Sequence, residues 1–360
     1  MDLKNSAEQV KTMNEPPIHL EPEKIPVHLD VELSSKCNLR CRFCHLSYFK
    51  PVSWEQISLN DFKNTIGPIL PKLNSITLFN KFEALTCRDF IPIFNFIAEH
   101  EVETYFSTNG LLLDDEIIET IVGRLTYLTV SVTGFNAETY RKNMKFDGFE
   151  IVRKNLGKLN VAKKRTGSEL PILRISTVGM LDTLNEIPKA IDFAKEFKAA
   201  EGVQLTSFKA YGSELRELMP LHDIKAYKHA TDDAIKYANK KGVKLTLQSG
   251  DIDENASSTE DLGHRFCDLP WHRLSVQANG DVYPCPMAYS PIGNTRNDTL
   301  KQIWISEELA KFRSGVNKTE NMNADCVNCT HCRHRSLTKV SANDFSKTDK
   351  APTGLTRVRD

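Results

Sequence analysis

The sequence predicts an α/β protein in which helices cover a mainly parallel sheet. Apolar runs of β-forming residues alternate with amphipathic helical stretches, and this alternation begins at Val27 and continues to Leu247. Such alternation is typical of β–α–β units, whose strands pair in parallel. A second observation is that a small cysteine-rich module with short β-type segments follows the alternating region.

The predicted elements follow one another in a regular order. Strands are expected at residues 27–33, 75–79, 103–107, 125–132, 172–178, 203–208 and 243–247. Amphipathic spacing predicts helices at residues 59–70, 87–99, 114–122, 149–164, 184–197 and 221–240, and one more at about 300–314. Both an open, doubly wound sheet and a partial barrel fit this order.

Composition excludes several classes of protein. Lysine plus arginine equals aspartate plus glutamate, at 47 each, so no overall field attracts nucleic acid or an anionic membrane. The first residues lack the apolar region of a signal peptide, and no apolar run approaches the roughly 20 residues of a membrane span. Nine cysteines without a secretion signal indicate a reducing compartment and metal ligation. We expect a cytoplasmic protein without nucleic-acid or membrane partners.

Composition also divides the chain into four parts. Residues 1–25 are polar and contain prolines, and they are predicted to form a tail. Residues 26–248 form the α/β domain. An acidic, serine-rich stretch at 249–263 opens the cysteine-rich domain, residues 249–335. Residues 336–360 are polar and are expected to be a disordered tail.

Three cysteines lie close together after the first predicted strand. Cys37, Cys41 and Cys44 are spaced C-x3-C-x2-C. Three thiolates on a tight loop hold three irons of a [4Fe–4S] cluster and leave the fourth iron open to a small molecule. Zinc is the alternative, but structural zinc sites usually take four protein ligands. The next cysteine, Cys87, stands alone on a predicted helix, where a small buried apolar role is expected.

This loop, with Phe43 directly before the third cysteine, resembles the signature of the radical S-adenosylmethionine (SAM) enzymes. The resemblance implies a partial (β/α)6 TIM-like barrel for residues 26–248, and the six strands predicted up to residue 208 fit that count. It implies that the open iron binds SAM and that the reduced cluster cleaves it to methionine and a 5′-deoxyadenosyl radical, which abstracts a substrate hydrogen. An electron donor such as flavodoxin or ferredoxin is implied as a partner.

Three later segments are similar to SAM-binding motifs of the family, in the expected order. Residues 81–84 stand where the family has Gly-Gly-Glu-Pro, and only the glutamate, Glu83, is retained. A Thr-Asn-Gly segment contains Asn109, and a segment similar to Ser-x-Asp-Gly begins at Ser131 with Thr133 in place of the aspartate. By resemblance the SAM contacts are Phe43, Glu83, Asn109 and Ser131.

Each of these residues also has an alternative interpretation. Glu83 is equally consistent with an exposed loop carboxylate, and Asn-Gly after a strand is typical of an ordinary tight turn. His45, beside the third cysteine, is expected to be a solvated loop residue rather than a supporting group of the site.

A second group of cysteines lies in the cysteine-rich domain. Its members are Cys267, Cys285, Cys326, Cys329 and Cys332. Zinc competes on spacing alone, but the Gly-x4-Cys segment ending at Cys285 and the terminal cysteines are similar to SPASM and twitch domains, which hold auxiliary [4Fe–4S] clusters. A full SPASM domain has seven cysteines. The resemblance therefore implies one auxiliary cluster, held by Cys267, Cys285 and two of the last three, with one spare thiol.

These observations predict a radical SAM maturase or oxidoreductase. Modification of a ribosomally made peptide, by cross-linking or epimerisation, is favoured. Oxidation or epimerisation of a sugar or aminocyclitol is the alternative, and a non-catalytic zinc-binding scaffold is the alternative of another class. Because the tail before residue 26 is too short for a leader-binding module, a separate leader-peptide recognition protein is an expected partner. Substrate identity and oligomeric state are not predicted.

Overall fold

The structure is a computed structural model that describes residues 25–211, 213–248, 267–318, 321–327, 329 and 355–357. Several predictions fall outside these residues. They are the tail before residue 25, the acidic stretch at 249–263, Cys332, and the C-terminal tail apart from 355–357.

A ten-stranded sheet is the framework of the fold. Its parallel strands are, in spatial order, β1 (His28–Val31), β3 (Ser75–Thr77), β4 (Glu103–Thr108), β5 (Tyr127–Ser131), β6 (Ile172–Gly179), β7 (Val203–Ser207) and β8 (Leu245–Leu247). These are the strands that the sequence predicts, within a few residues at each end. The predicted α/β class with a parallel sheet is confirmed.

The cysteine-rich region contributes strands to this same sheet. Strand β9 (Arg273–Val276) pairs in parallel with β1, on the side opposite to β3. Strands β10 (Asp281–Tyr283) and β11 (Gly293–Asn294) then continue the sheet with antiparallel pairing. Strand β1 therefore lies between the two regions and is paired on both edges.

A separate two-stranded sheet lies next to the first cysteine loop. Strand β2 (Phe49–Pro51) pairs antiparallel with β12 (Leu355–Arg357). The expectation of disorder for residues 336–360 is therefore wrong at 355–357. Neither strand shows a sequence pattern long enough to be recognised, because each has only three residues.

The predicted helices are present between the strands. They are α1 (Leu59–Thr65), α2 (Phe90–Ile97), α3 (Asp115–Ile121), α5 (Phe149–Thr166), α6 (Ile187–Glu196) and α7 (Ile224–Lys241). Side-chain caps explain several starts: Ser58, Asp114 and Asp223 each accept a hydrogen bond from a main-chain N–H of the first turn. Beyond β8 lie α8 (Leu269–His272), α9 (Leu300–Trp304), α10 (Glu307–Ser314) and α11 (Ala324–Val327). The single helix expected at 300–314 is thus two helices.

Helix α4 (Ala137–Met144) was not expected from the sequence. Among its eight residues, mostly polar, only Tyr140, Asn143 and Met144 are buried, so an apolar stripe is hardly visible. The side chain of Asn136 caps it by accepting a hydrogen bond from the Thr139 N–H at 2.8 Å.

One large apolar core lies between the sheet and the helices. Burial alternates along β6, so the side chains on one of its faces are buried and those on the other face are half-buried. The same core includes Leu29 of β1, Leu274 of β9 and Trp304 of α9. The α/β region and the cysteine-rich region therefore share their core. Among the described residues, no helix is long and apolar enough to cross a membrane.

Gly134 lets helix α4 approach the end of β5, and its replacement tests this packing. Its φ of +99° disfavours other residues, and a Cβ atom there would lie 2.3 Å from the main chain of Thr139. Gly167 has φ +68° with nothing within 4 Å. We expect Gly167→Ala to lower the free energy of unfolding by about 1–2 kcal/mol and Gly134→Ala by about 1–3 kcal/mol more. Equal urea midpoints for the two variants would contradict the close approach.

Candidate active site

The first cysteine loop follows β1 at the carboxyl edge of the parallel strands. Cys44 precedes a short 3₁₀ helix, His45–Ser47, and its main-chain N–H donates to the Cys41 carbonyl at 2.9 Å. The Ser47 hydroxyl donates to the same carbonyl at 2.7 Å. These bonds close the segment from Cys41 to Ser47 into a tight turn.

The thiols are close enough to influence one another. Burial raises the pKa of Cys41 well above the ordinary thiol value, and the neighbouring Cys44 and Cys37 raise it further. Burial also raises the pKa of Cys44, to about 11. Thiolates grouped in this way require a positive centre to stabilise them, which iron supplies.

The loop offers three thiols, which is the number that a [4Fe–4S] cluster with one open iron requires. In such a cluster each thiolate binds a different iron, so the sulfurs stand further apart than the ligands of one ion. Within the described ranges, no three His, Cys, Asp or Glu side chains are close enough to share one metal ion.

Arg42 anchors the loop to helix α4 and to Asp182. Its main-chain N–H donates to the Asn143 carbonyl at 2.9 Å, and its Nε donates to Asn143 Oδ1 at 2.7 Å. The Nη2 group donates to both carboxylate oxygens of Asp182, at 2.8 and 2.9 Å. The arginine side chain is only 10% exposed. Helix α4 also contributes Met144, whose sulfur lies 3.8 Å from Cys41 Sγ.

Glu83 is buried, and the structure joins it to Asn109. Its side chain is 4% exposed in relative area, so the interpretation as an exposed loop carboxylate is wrong. Its Oε2 accepts from the Asn109 main-chain N–H at 2.8 Å, and Oε1 accepts from that of Leu85 at 3.3 Å. Burial nevertheless raises the pKa of Glu83 to about 7.

Asn109 links this pair to the cysteine loop. Its Nδ2 donates to Oδ1 of Asn38, which follows Cys37, at 2.7 Å. The Glu83 N–H in turn donates to the Lys36 carbonyl at 3.0 Å. The first loop, the end of β3 and the end of β4 therefore form one hydrogen-bonded unit, although Lys81 and Phe82 replace both glycines of the expected motif.

Ser131 and Phe43 lie further along the same edge. Ser131 ends β5, half-buried and in register with Ser176 of β6. Thr133, at the position where an aspartate was expected, accepts from the Val178 N–H at 3.2 Å. Phe43 is half-buried and packs against Met180 and Phe208. No described hydrogen bond joins Ser131 or Phe43 to the Glu83–Asn109 unit.

His45 is not the solvated loop residue that was expected. Its ring lies 6.0 Å from the Phe82 ring and 5.8 Å from the Tyr211 ring, and Nδ1 is 3.6 Å from Cys44 Sγ. Its Nε2 is buried and makes no hydrogen bond to the described residues. Burial lowers the pKa of His45 to about 3. A single histidine beside a cysteine carries no sequence pattern that signals this burial.

Four cysteines of the second group converge. Cys285 follows β10 and is 9% exposed, and burial is the main cause of its raised pKa. Cys329, Cys267 and Cys326 raise that pKa further, so their thiols lie near it. Asn317 holds the Cys267 segment by a reciprocal pair of hydrogen bonds, at 2.6 and 2.9 Å. Four thiols are the number that one closed [4Fe–4S] cluster requires. Cys332 lies outside the described residues.

Two family models match the chain, together over more than half of its length. The model of the radical SAM superfamily matches residues 31–194. The SPASM model, an iron-sulfur cluster-binding domain, matches residues 267–333. The chain is therefore a radical SAM enzyme with a C-terminal SPASM domain, and these domains imply SAM, a [4Fe–4S] cluster and an auxiliary cluster.

Relatives and solved structures resemble the chain over most of its length. The AdoMet-dependent heme synthase of Methanosarcina barkeri is 25% identical over 334 residues, 85% of this chain and 90% of that protein. The sporulation killing factor maturation protein SkfB of Bacillus subtilis is 21% identical over 314 residues, 84% of this chain and 69% of that protein.

Among solved structures, anSMEcpe with bound AdoMet and Cp18Cys peptide has a TM-score of 0.63 and 19% identity, covering 91% of this chain and 92% of that one. At this identity the likeness concerns the fold alone. It agrees with the parallel sheet described above.

Arg42 offers a test of how the loop is held. We expect Arg42→Met to lose the side-chain hydrogen bonds to Asn143 and Asp182, each worth about 1.5–3 kcal/mol, while the main-chain bond to Asn143 remains, and to release iron at least about tenfold faster. Arg141→Met is the matched control, since the Arg141 side chain is 59% exposed and its contact with Asp147 is 3.8 Å long. Iron and sulfide per chain, followed over time after anaerobic desalting, give the measurement. Equal loss from both variants would refute the anchoring role.

Proposed function

We propose that this enzyme cleaves SAM at the Cys37–Cys41–Cys44 cluster and modifies a ribosomally made peptide. When bound and reduced, the cluster supplies one electron to SAM, which separates into methionine and a 5′-deoxyadenosyl radical that takes a hydrogen atom from the substrate. The observation that carries the proposal is the hydrogen-bonded unit that joins the cysteine loop to Glu83 and Asn109.

The residues around the cluster would orient SAM. Glu83 presents a buried carboxylate whose two oxygens already accept main-chain hydrogen bonds, so its position is well defined. We propose that Glu83 faces the amino group of SAM, and that Asn109, Ser131 and Phe43 contribute the other contacts. The buried surroundings keep water away from the radical.

Peptide modification is supported by what the relatives are called. SkfB is described as a maturation protein for the sporulation killing factor, and anSMEcpe was solved with a peptide. The second candidate function is a step of heme synthesis, because the relative from M. barkeri has the higher identity and the larger coverage. Anaerobic assays for a peptide mass shift and for heme absorbance separate the two.

We propose that the auxiliary cluster is held by Cys267 and Cys285 together with two of Cys326, Cys329 and Cys332. The electrostatic effect of Cys267, Cys326 and Cys329 on the Cys285 thiol supports the inclusion of these residues. The auxiliary cluster would bind the substrate or accept the electron left after hydrogen abstraction. A flavodoxin or ferredoxin would act as the electron donor of the enzyme.

Removal of one loop thiol tests the site of SAM cleavage. We expect Cys41→Ala to form no 5′-deoxyadenosine with dithionite and to hold about four irons per chain, against about eight in the wild type. Cys87→Ala is the matched control, because Cys87 is buried in the core, with its sulfur 3.6 Å from the Ile57 carbonyl. A Cys41→Ala protein that still makes 5′-deoxyadenosine would overturn the assignment.

Removal of Cys285 tests the auxiliary site separately. We expect Cys285→Ala to hold about four irons, to lack the second cluster's electron paramagnetic resonance signal, and to cleave SAM without forming product. The readouts are iron content, the spectrum of the reduced protein and 5′-deoxyadenosine by chromatography. If the spectrum of reduced Cys285→Ala still contains the signals of both clusters, Cys285 is not a ligand.

A further inference from the structure

A cavity of about 260 Å³ opens at the carboxyl ends of β1, β3 and β9. Its polar lining includes Glu32 after β1, Lys81 after β3, Gln277 and Asn279 after β9, and Ser35 and Ser53. Phe82 lines it as well, and Cys37 and Cys44 pack against the small cluster to which Phe82 belongs. Lys81 Nζ lies 5.4 Å from the centre of the Tyr283 ring, and Tyr283 packs against Cys285. Because Phe82 is close to the first cysteine group and Lys81 is close to the second, the cavity that they line lies between the two groups.

Glu32 is a buried carboxylate with one oxygen lacking a partner. The residue is 3% exposed, and the main-chain N–H groups of Lys81 and Ala278 donate to its carboxyl group. Its Oε2 has no hydrogen-bond partner among the described residues. Burial raises the pKa of Glu32 to about 7, against the lowering effect of Lys81. A buried oxygen without a donor is costly, so such an atom calls for a ligand.

Lys81 is the complementary charge. Burial lowers the pKa of its ammonium group, and the attraction of Glu32 opposes this effect. The described contacts include no ion pair between Glu32 and Lys81, although both line the cavity. A separated pair of this kind is best bridged by a group that donates to the carboxylate and accepts from the ammonium.

We propose that this cavity binds a neutral, hydrogen-bonding group of the substrate, which donates to Glu32 Oε2 and accepts from Lys81 Nζ. The inference rests on the proposed function for its substrate, but its binding test needs no SAM cleavage. Amide and hydroxyl groups have this chemistry, the first from a peptide and the second from a polyol. A charged group is disfavoured, because it would leave one member of the buried pair uncompensated.

The size and lining of the cavity agree with this chemistry. A volume of 260 Å³ holds several waters at about 30 Å³ each, and therefore one amino-acid unit or one small ring. Seven of the ten lining residues have polar side chains, which supply donors and acceptors for such a group.

The test uses two uncharged probes on the oxidised, reconstituted full-length protein. N-acetylglycinamide represents the peptide amide and myo-inositol the polyol, and binding is measured by saturation-transfer NMR. We expect at least one probe to bind the wild type and to bind about tenfold more weakly to Glu32→Gln, since a hydrogen bond to a charged group is lost. Lys81→Met is the second variant and should weaken the same probe.

Glu150→Gln is the matched control. Glu150 lies on α5, outside the cavity, and its side chain is 80% exposed, so the variant should keep wild-type affinity for the probe. Iron content and circular dichroism check that every variant is folded. Failure of both probes to bind the wild type, equal weakening by Glu150→Gln, or displacement of the probe by SAM would each overturn the inference.

The two probes also separate the substrate classes. Binding of N-acetylglycinamide supports the cavity with a peptide as its source, and binding of myo-inositol alone supports the cavity while contradicting the peptide substrate. If the wild type binds a probe but forms no 5′-deoxyadenosine, the proposed function fails and the cavity inference stands.

Discussion

The parallel pairing of β1 with both β3 and β9 is the constraint on which the whole site depends. The carboxyl ends of parallel strands lie at one edge of a sheet, and here that edge carries the cysteine loop, Glu83 and Glu32. Because β9 belongs to the SPASM match, this pairing also attaches the auxiliary region beside the SAM region. A shared core that includes Leu29 and Leu274 also joins the two regions.

Two buried carboxylates at this edge differ in how their oxygens are hydrogen-bonded. Both Glu83 and Glu32 have a pKa raised to about 7 by burial. Glu83 has each oxygen accepting a main-chain N–H, which suits a group that must keep one position. Glu32 has an oxygen without a protein partner, which suits a group that awaits a ligand. The same residue type is therefore fully hydrogen-bonded in one place and left with an open acceptor in the other.

Much of the fold follows from local patterns in the sequence. The parallel strands were predictable because each is a short run rich in β-forming residues between helical stretches, and the three-cysteine loop because its spacing implies its chemistry. Helix α4 and the pairing of β12 with β2 were not predictable, because local sequence patterns do not identify short or mostly polar elements that depend on tertiary contacts. The burial of Glu83 and His45 also depends on partners far away in the chain, such as Asn109 and Tyr211. Their roles in catalysis remain predictions.

The position of β1 has a consequence for biosynthesis. Arg273 on β9 donates a hydrogen bond to Asp30 on β1, and the two residues are 243 positions apart in the sequence. Closure of so long a loop is slow relative to local structure. During translation β1 therefore keeps one edge unpaired until the SPASM strands leave the ribosome. Iron–sulfur cluster insertion into the first loop would then be favoured after β9 has emerged, when the strand that precedes the loop has both of its neighbours.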